Sequence, residues 1–208
     1  MAVKPRIGLL GGSFDPVHQA HIALAQAAWE TLDLHTVQLL PAARPWQRGQ
    51  LGASAQQRLD MLKLACAGNP HLQVNPIELQ RPGATYTIDT LQALPDDADY
   101  TWILGSDQLA NFCTWHRWRD ILALVRLAVA QRPGTQACPP KDLAQALKPG
   151  GLVHIPFPPQ NIAGTAIRQA LAEGKSPDTM LDARVLDYIR AHELYQTLGN
   201  APDPSGNS

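Results

Sequence analysis

The 208-residue chain has no apolar run that approaches the ~18 residues needed to cross a bilayer. It has no excess of either charge: Lys+Arg 17 against Asp+Glu 18 leaves a formal charge of -1. That balance argues against a broad nucleic-acid surface and against a polybasic membrane patch, so any anion must be held locally by a few groups. Cysteine is scarce. Cys66, Cys113 and Cys138 lie far apart, with no Cys-x-x-Cys pair and no even set, which excludes a disulfide framework or a zinc site and suits reduced cytosolic thiols. Met1 to Arg6 includes basic residues but leads straight into an apolar strand and glycines, not into the apolar stretch of an export signal; the expected location is the cytoplasm. There is no linker and no internal repeat. At 45% hydrophobic and 17% charged, the chain can bury one sizeable core, so residues 1–198 read as a single domain and 199–208 as a flexible C-terminal tail.

Short β-prone runs alternate with helical periodicity along that domain. Strands are expected at Arg6–Leu10, Val37–Leu40, Leu72–Val74, Tyr100–Leu104, Leu127–Gln131 and Leu152–Ile155. Between them, Ile22, Ala25, Trp29 and Leu32 keep the three-to-four spacing of an amphipathic helix, and Ser54 with Gln57 forms a capping box that opens a helix through Leu64. Further helices are expected over Thr87–Leu94, Trp118–Leu124, Leu143–Leu147, Thr165–Ala172 and Ala183–His192. The alternation implies an α/β fold of Rossmann-like, doubly wound type, a mostly parallel sheet with helices on both faces. Ligands in such sheets bind at the carboxyl ends of the strands. The unusual segments lie there: Gly11–His21, Pro41–Arg48, Gly105–Asp107 and Arg132-Pro133-Gly134.

The sharpest of them is Gly11-Gly12-Ser13-Phe14-Asp15-Pro16-Val17-His18-Gln19-Ala20-His21. Two glycines after a strand allow the backbone to approach a phosphate chain, and the N–H groups opening the next helix point to the same place. His18 and His21, three apart at a helix start, share a face and can both donate to phosphate oxygens. The motif reads as a polyphosphate cradle.

In these residues the chain resembles the nucleotidyltransferase superfamily with the His-x-Gly-His signature, and within it the bacterial nicotinate-nucleotide adenylyltransferases. The likeness runs in order from Arg6 to about Tyr195: Gly11–His21; Pro41-x-x-x-Pro45; Arg58-x-x-Met61-Leu62; Glu78-Leu79-x-Arg81; Tyr86-Thr87-x-x-Thr90-Leu91; Gly105-x-Asp107; Trp115; Arg132-Pro133-Gly134; and Asn161–Arg168. It departs from the family at three places. Ala20 stands where the signature has glycine, Ala163-Gly164 replace two serines before the last phosphate-binding helix, and Gln47 replaces a histidine.

The resemblance implies roles for particular residues. Gly11, Gly12, Ser13 and Phe14 would cradle ATP, with Gly105, Asp107 and Arg132 also binding it. Asp107 would accept from the ribose hydroxyls, although a carboxylate at that place also suits a helix cap. Thr165 and Arg168 would grip the β- and γ-phosphates; by residue type alone, an Arg in a first helical turn is as readily a solvated side chain. Trp115 would stack on the pyridine ring of a mononucleotide, with Arg48 and Tyr86 nearby and backbone N–H groups at Thr87 and His116 receiving its carboxylate; core packing is the competing role for the whole aromatic stretch Phe112–Trp118.

The implied reaction is attack by the phosphate of nicotinate mononucleotide on the α-phosphorus of ATP. A phosphate monoester is already ionised, its second pKa being about 6, so no general base is needed. His18, His21 and Arg168 would be the catalytic side chains, with Mg²⁺ arriving on ATP and no all-protein metal site. The expected partners are ATP and nicotinate mononucleotide, with no nucleic acid and no membrane; homo-oligomerisation is left open. Three other readings remain: nicotinamide mononucleotide as acceptor, phosphopantetheine as acceptor, and a non-catalytic nucleotide-binding regulator. A dinucleotide-dependent oxidoreductase fits less well because the opening loop lacks Gly-x-Gly-x-x-Gly.

Overall fold

The computed structural model describes residues 4–44, 51–81, 83–131, 134, 137–158 and 160–196, so the expected tail 199–208 lies outside the described residues. In chain order the elements are β1 (Arg6–Gly12), α1 (Gln19–Leu32), β2 (Thr36–Pro41), α2 (Ala55–Cys66), β3 (Leu72–Val74), α3 (Thr87–Ala93), β4 (Asp99–Gly105) and α4 (Ser106–Asn111). A 3-10 turn (Phe112–Thr114) follows, then α5 (Trp118–Leu124), β5 (Arg126–Gln131), α6 (Lys141–Ala146), β6 (Leu152–Pro156), α7 (Gly164–Ala172) and α8 (Ala183–Ala191).

The strands form one six-stranded sheet in the order β3-β2-β1-β4-β5-β6, with every pairing parallel. The chain winds outward from β1 to β3, returns to the middle at β4, and winds the other way to β6. Successive strand residues point to opposite faces, and both faces are apolar. Leu10, Leu39, Ile103, Ala128 and Ile155 join a core with Ala25, Met61, Ile167 and Val185 from α1, α2, α7 and α8. Leu9, Leu40, Trp102, Leu104, Leu127 and Val129 join the opposite core with Ile88, Leu109, Ile121 and Leu143. Burying each such side chain contributes ~1.5–3 kcal/mol, which is why a sheet of this pattern needs helices on both sides.

Local signals act as expected at α2. Ser54 Oγ accepts the N–H of Gln57 at 3.2 Å, and the Gln57 side chain accepts the N–H of Ser54 at 2.9 Å. The helix continues two residues beyond Leu64, to Cys66, and Gly68 at φ 89° turns the chain away. Two expectations need adjusting. Gly11 and Gly12 are not a loop but the end of β1, paired with Leu40 and Pro41. Helix α4 and the 3-10 turn after it have no counterpart in the sequence reading, because Leu109 is the one buried residue of α4 and leaves no periodicity to detect. Among the described residues, no helix is long and apolar enough to cross a membrane.

Candidate active site

The reversal of winding direction leaves a crevice between the carboxyl ends of β1 and β4, the place where open α/β sheets bind ligands. A cleft of about 300 Å³ opens there, lined by Gly11, Gly12, Ser13 and His21 on one side and by Gly105, Thr87, Glu78 and Trp115 on the other. A larger hollow of about 600 Å³ lies at the opposite, amino-terminal edge of the sheet, beside Lys4, Arg6, Asp99 and Arg126. Its size does not make it the site. Lys4 is bound to Asp96 at 2.7 Å and Arg6 to Asp33, and strand amino ends are the wrong end of such a sheet.

Packing crowds two of the cleft's three glycines, whereas Gly105 has open space around it. A Cβ on Gly11 would come within 2.8 Å of Trp102 Cζ2, and one on Gly12 within 3.1 Å of Phe14 Cζ. Phe14 itself sits in the left-handed region at φ 48° and, at 1% exposed, packs into the core beneath the loop and is not among the residues that line the cleft. Beneath the loop lies Arg58 of α2, also 1% exposed, which donates to the Ser13 carbonyl at 2.7 Å and more weakly to that of Ala43 at 3.4 Å. Burial lowers the pKa of this guanidinium, with Asp15 opposing the fall. Arg58 thus supports the floor of the phosphate loop. Its sequence signal was a cation on the same helix as the buried residues Leu59, Met61, Leu62 and Ala65.

His18 caps α1 and His21 occupies its first turn, and their rings stack with centroids 3.7 Å apart. The backbone N–H of His18 donates to His21 Nδ1 at 3.2 Å, so a neutral His21 holds its proton on Nε2. His18 is 9% exposed, and burial drives its pKa down to about 4. At neutral pH it is an uncharged hydrogen-bonding ring rather than a cation. Its Nδ1 is buried and has no hydrogen-bond partner among the described residues. His18 also borders a neighbouring hollow of about 370 Å³ with Gln160, between the amino end of α1 and α8.

On the other wall, Thr87 opens α3, so its backbone N–H has no intrahelical acceptor. Trp115 is half-buried, tilted against Phe112 at 5.0 Å and edge-on to Trp102 at 6.3 Å, while part of it lines the cleft. Tyr86 lies against the exposed His116, with ring centroids 4.6 Å apart. Glu78 is 4% exposed and accepts the Thr90 hydroxyl at 2.8 Å, while Arg81 donates to the same hydroxyl oxygen at 2.5 Å. Burial pushes the Glu78 carboxyl up to about 7. This relay ties down the segment that delivers Thr85 and Thr87 to the cleft. All three residues stand in the motifs Glu78-Leu79-x-Arg81 and Tyr86-Thr87-x-x-Thr90-Leu91, whose spacing alone carries no sign of this relay.

The remaining expected residues that the structure describes do not line this cleft. Asp107 is exposed in the first turn of α4, where Gly105 is the cap, so the capping role does not belong to Asp107. Thr165 is exposed in the first turn of α7, and Arg168 one turn on donates to the Asp15 carbonyl at 2.6 Å. Arg48 and Arg132, with Pro45, Gln47 and Pro133, lie outside the described residues. The structure therefore gathers Gly11, Gly12, Ser13, His21, Thr87, Gly105 and Trp115 around one cleft, with His18 stacked behind His21.

The cytidylyltransferase-like family model matches residues 9–170. A Bordetella pertussis protein named "Probable nicotinate-nucleotide adenylyltransferase" is 55% identical over 193 residues, covering 92% of this chain and 98% of its own. A Laribacter hongkongensis protein of the same name is 44% identical, covering 95% and 98%. Among solved structures, Plasmodium falciparum nicotinic acid mononucleotide adenylyltransferase complexed with NaAD superposes with a TM-score of 0.73 at 16% identity, over 92% of this chain and 97% of that one.

Proposed function

Because the chain belongs to the cytidylyltransferase-like family and, within it, to the nicotinate-nucleotide adenylyltransferases, we propose that the β1–β4 cleft is where AMP passes from ATP to nicotinate mononucleotide. An oxygen of the mononucleotide phosphate attacks the α-phosphorus, the bond from that phosphorus to the β-phosphate bridge breaks, and deamido-NAD and pyrophosphate form. No proton has to be removed from the nucleophile, whose second pKa is about 6. The protein's task is to align two anions and to stabilise charge as it shifts onto the leaving group.

The observation that carries this reading is that Gly11, Gly12, Ser13, His21, Thr87 and Trp115 line one cleft. Phosphate donors and an aromatic ring thus border a shared space. We assign the backbone of residues 11–14, His18, His21, Thr165 and Arg168 to the triphosphate, and Gly105, Asp107 and Arg132 to the adenosine. Trp115, Tyr86, Thr87, His116 and Arg48 are assigned to the mononucleotide. A neutral His18 contributes a hydrogen bond without placing a positive charge beside His21.

Magnesium would enter as part of the MgATP substrate. Apart from the Thr165 hydroxyl, the side chains assigned to the phosphates are imidazole and guanidinium donors, which suit phosphate oxygens and not a hard cation. The ion's ligands would therefore be phosphate oxygens and water. We place the enzyme in the cytoplasm on the spacing of its cysteines, which suits reduced thiols. The test of the reading is pyrophosphate release from MgATP with nicotinate mononucleotide: turnover that requires both substrates is expected, and a protein that binds ATP without turnover would instead be a nucleotide-binding regulator.

A further inference from the structure

The last described turn of the chain comes back to the phosphate loop. The Tyr195 hydroxyl donates to Asp15 Oδ1 at 2.7 Å, across 180 residues of sequence. Asp15 is 5% exposed, and its carboxylate also accepts the backbone N–H groups of Gly52 at 2.8 Å and Ala53 at 3.0 Å. Its carbonyl accepts Arg168 Nη1 at 2.6 Å, whereas the nearer carboxylate oxygen is 3.9 Å from that nitrogen. One buried acid therefore ties together the loop before α2, the first turns of α7 and the C-terminal tyrosine.

The division of labour at Asp15 matters. A carbonyl can fix the direction of a guanidinium without neutralising it, and a carboxylate at 3.9 Å does not take over its hydrogen bonds. Arg168 is held in place through Nη1, which leaves the other edge of its guanidinium to meet a phosphate. Two features of Tyr195 show that its position is enforced. Its backbone is in the left-handed region at φ 62°, a conformation that costs a bulky residue ~1–3 kcal/mol and persists only where the surroundings over-determine it. Its ring lies so close to Gly52 that a Cβ there would meet Tyr195 Cδ1 at 2.8 Å. Burial and the adjacent Asp15 charge hold the phenol pKa well above its ordinary value, so the hydroxyl remains a donor throughout the working pH range.

We propose that Tyr195 is a positioning residue that acts through Asp15 on Arg168, holding the guanidinium where the leaving pyrophosphate must be met. This rests on the phosphate role assigned to Arg168 above. Asp15 belongs to the phosphate loop, and its carboxylate anchors the backbone whose carbonyl aims Arg168. The tyrosine hydroxyl fixes that anchor.

The test is a double-mutant cycle between Tyr195→Phe, which keeps the ring against Gly52 and deletes the hydroxyl, and Arg168→Ala. Two readouts are followed, kcat for pyrophosphate release and the Kd of inorganic pyrophosphate. In the wild-type background Tyr195→Phe is expected to lower kcat and weaken pyrophosphate binding by about tenfold each, the scale of one hydrogen bond to a charged group. In the Arg168→Ala background it is expected to change neither by more than about twofold, because the residue it acts through is gone. Asp15→Asn, a second route into the same anchor, should show the same non-additivity. The proposal is overturned by equal losses in both backgrounds, which mark a purely structural latch, by no loss in the wild type, or by a wild type that does not bind pyrophosphate. The functional reading fails separately: a wild type that releases no pyrophosphate from ATP with nicotinate mononucleotide would reject it, while the pyrophosphate-binding arm still decides the role of Tyr195.

Discussion

The backbone N–H of His18 and Nδ1 of His21 are hydrogen-bonded at 3.2 Å, and the two rings stack at 3.7 Å with their planes 23° apart. The helix start thereby orients one imidazole with the main chain of the other. His21 Nδ1 is occupied as an acceptor, which leaves Nε2 as the end of the ring that can meet a substrate. The paired histidines are a pre-set hydrogen-bonding edge and not a double positive charge, since burial holds His18 near a pKa of about 4.

Replacing His21 with Ala should therefore lower kcat by about 10²–10³, the range for deleting a donor that acts on the transition state, with a small effect on the KM for ATP. A change confined to KM would make His21 a ground-state binder.

His18 also leaves a mark on stability. Its folded-state pKa of about 4 lies below the ordinary 6.5, so the unfolded chain binds more protons between those values. The contribution is present above about 6.5 and lost as pH falls toward 4, by ~3 kcal/mol at full effect. Glu78 acts in the opposite sense: with its carboxyl raised to about 7, its contribution is present below about 4.5 and lost as pH rises through 7. The informative comparison is therefore wild type against His18→Gln, in which Glu78 cancels. Urea unfolding from pH 7 to pH 4 should show the wild type losing more stability than the variant; parallel curves would mean that His18 titrates normally in the folded state.

Trp115 separates the two substrate sites. It is half-buried, with Phe112 and Trp102 on its inner side and the cleft on the other. Trp115→Ala should weaken nicotinate mononucleotide binding by ~1–3 kcal/mol, the scale of a base stacked on an aromatic ring, and leave ATP binding nearly intact. A wholly structural tryptophan would behave differently, costing ~3–5 kcal/mol of stability and both affinities together. Thermal melting beside titration with each ligand distinguishes the outcomes.

Arg58 is the strut below the phosphate loop, and Arg58→Met keeps much of its volume while abandoning the Ser13 carbonyl. A half-buried carbonyl left without its donor costs up to ~1–3 kcal/mol, so the urea midpoint should fall. An unchanged midpoint would show that Ser13 does not depend on this contact.

Much of this architecture was legible because both sides of a parallel sheet are apolar. The six strands announce themselves as short apolar runs, and Ser54 with Gln57 announces α2 through a local hydrogen-bond pair. His18 and His21 were legible from spacing alone, since three residues on a helix start place them on one face. What the sequence hides is long-range. Nothing local says that β1 lies between β2 and β4, that Gly11 must be small because Trp102 crosses it, or that Tyr195 reaches Asp15. Helix α4 stayed hidden for the opposite reason: six residues with one buried leucine present too little pattern.

The most direct measurement is kcat/KM for pyrophosphate release from MgATP with nicotinate, nicotinamide and phosphopantetheine acceptors in turn. A carboxylate gains charge-assisted hydrogen bonds from backbone N–H groups, such as that of Thr87 at the start of α3, which the NH₂ of an amide cannot accept. Nicotinate mononucleotide is expected to be used best, with its advantage over the nicotinamide form diminished in Trp115→Ala only as far as stacking contributes. Equal or better turnover with the nicotinamide form, or with phosphopantetheine, would contradict the assignment of the cleft's far wall to a pyridine carboxylate.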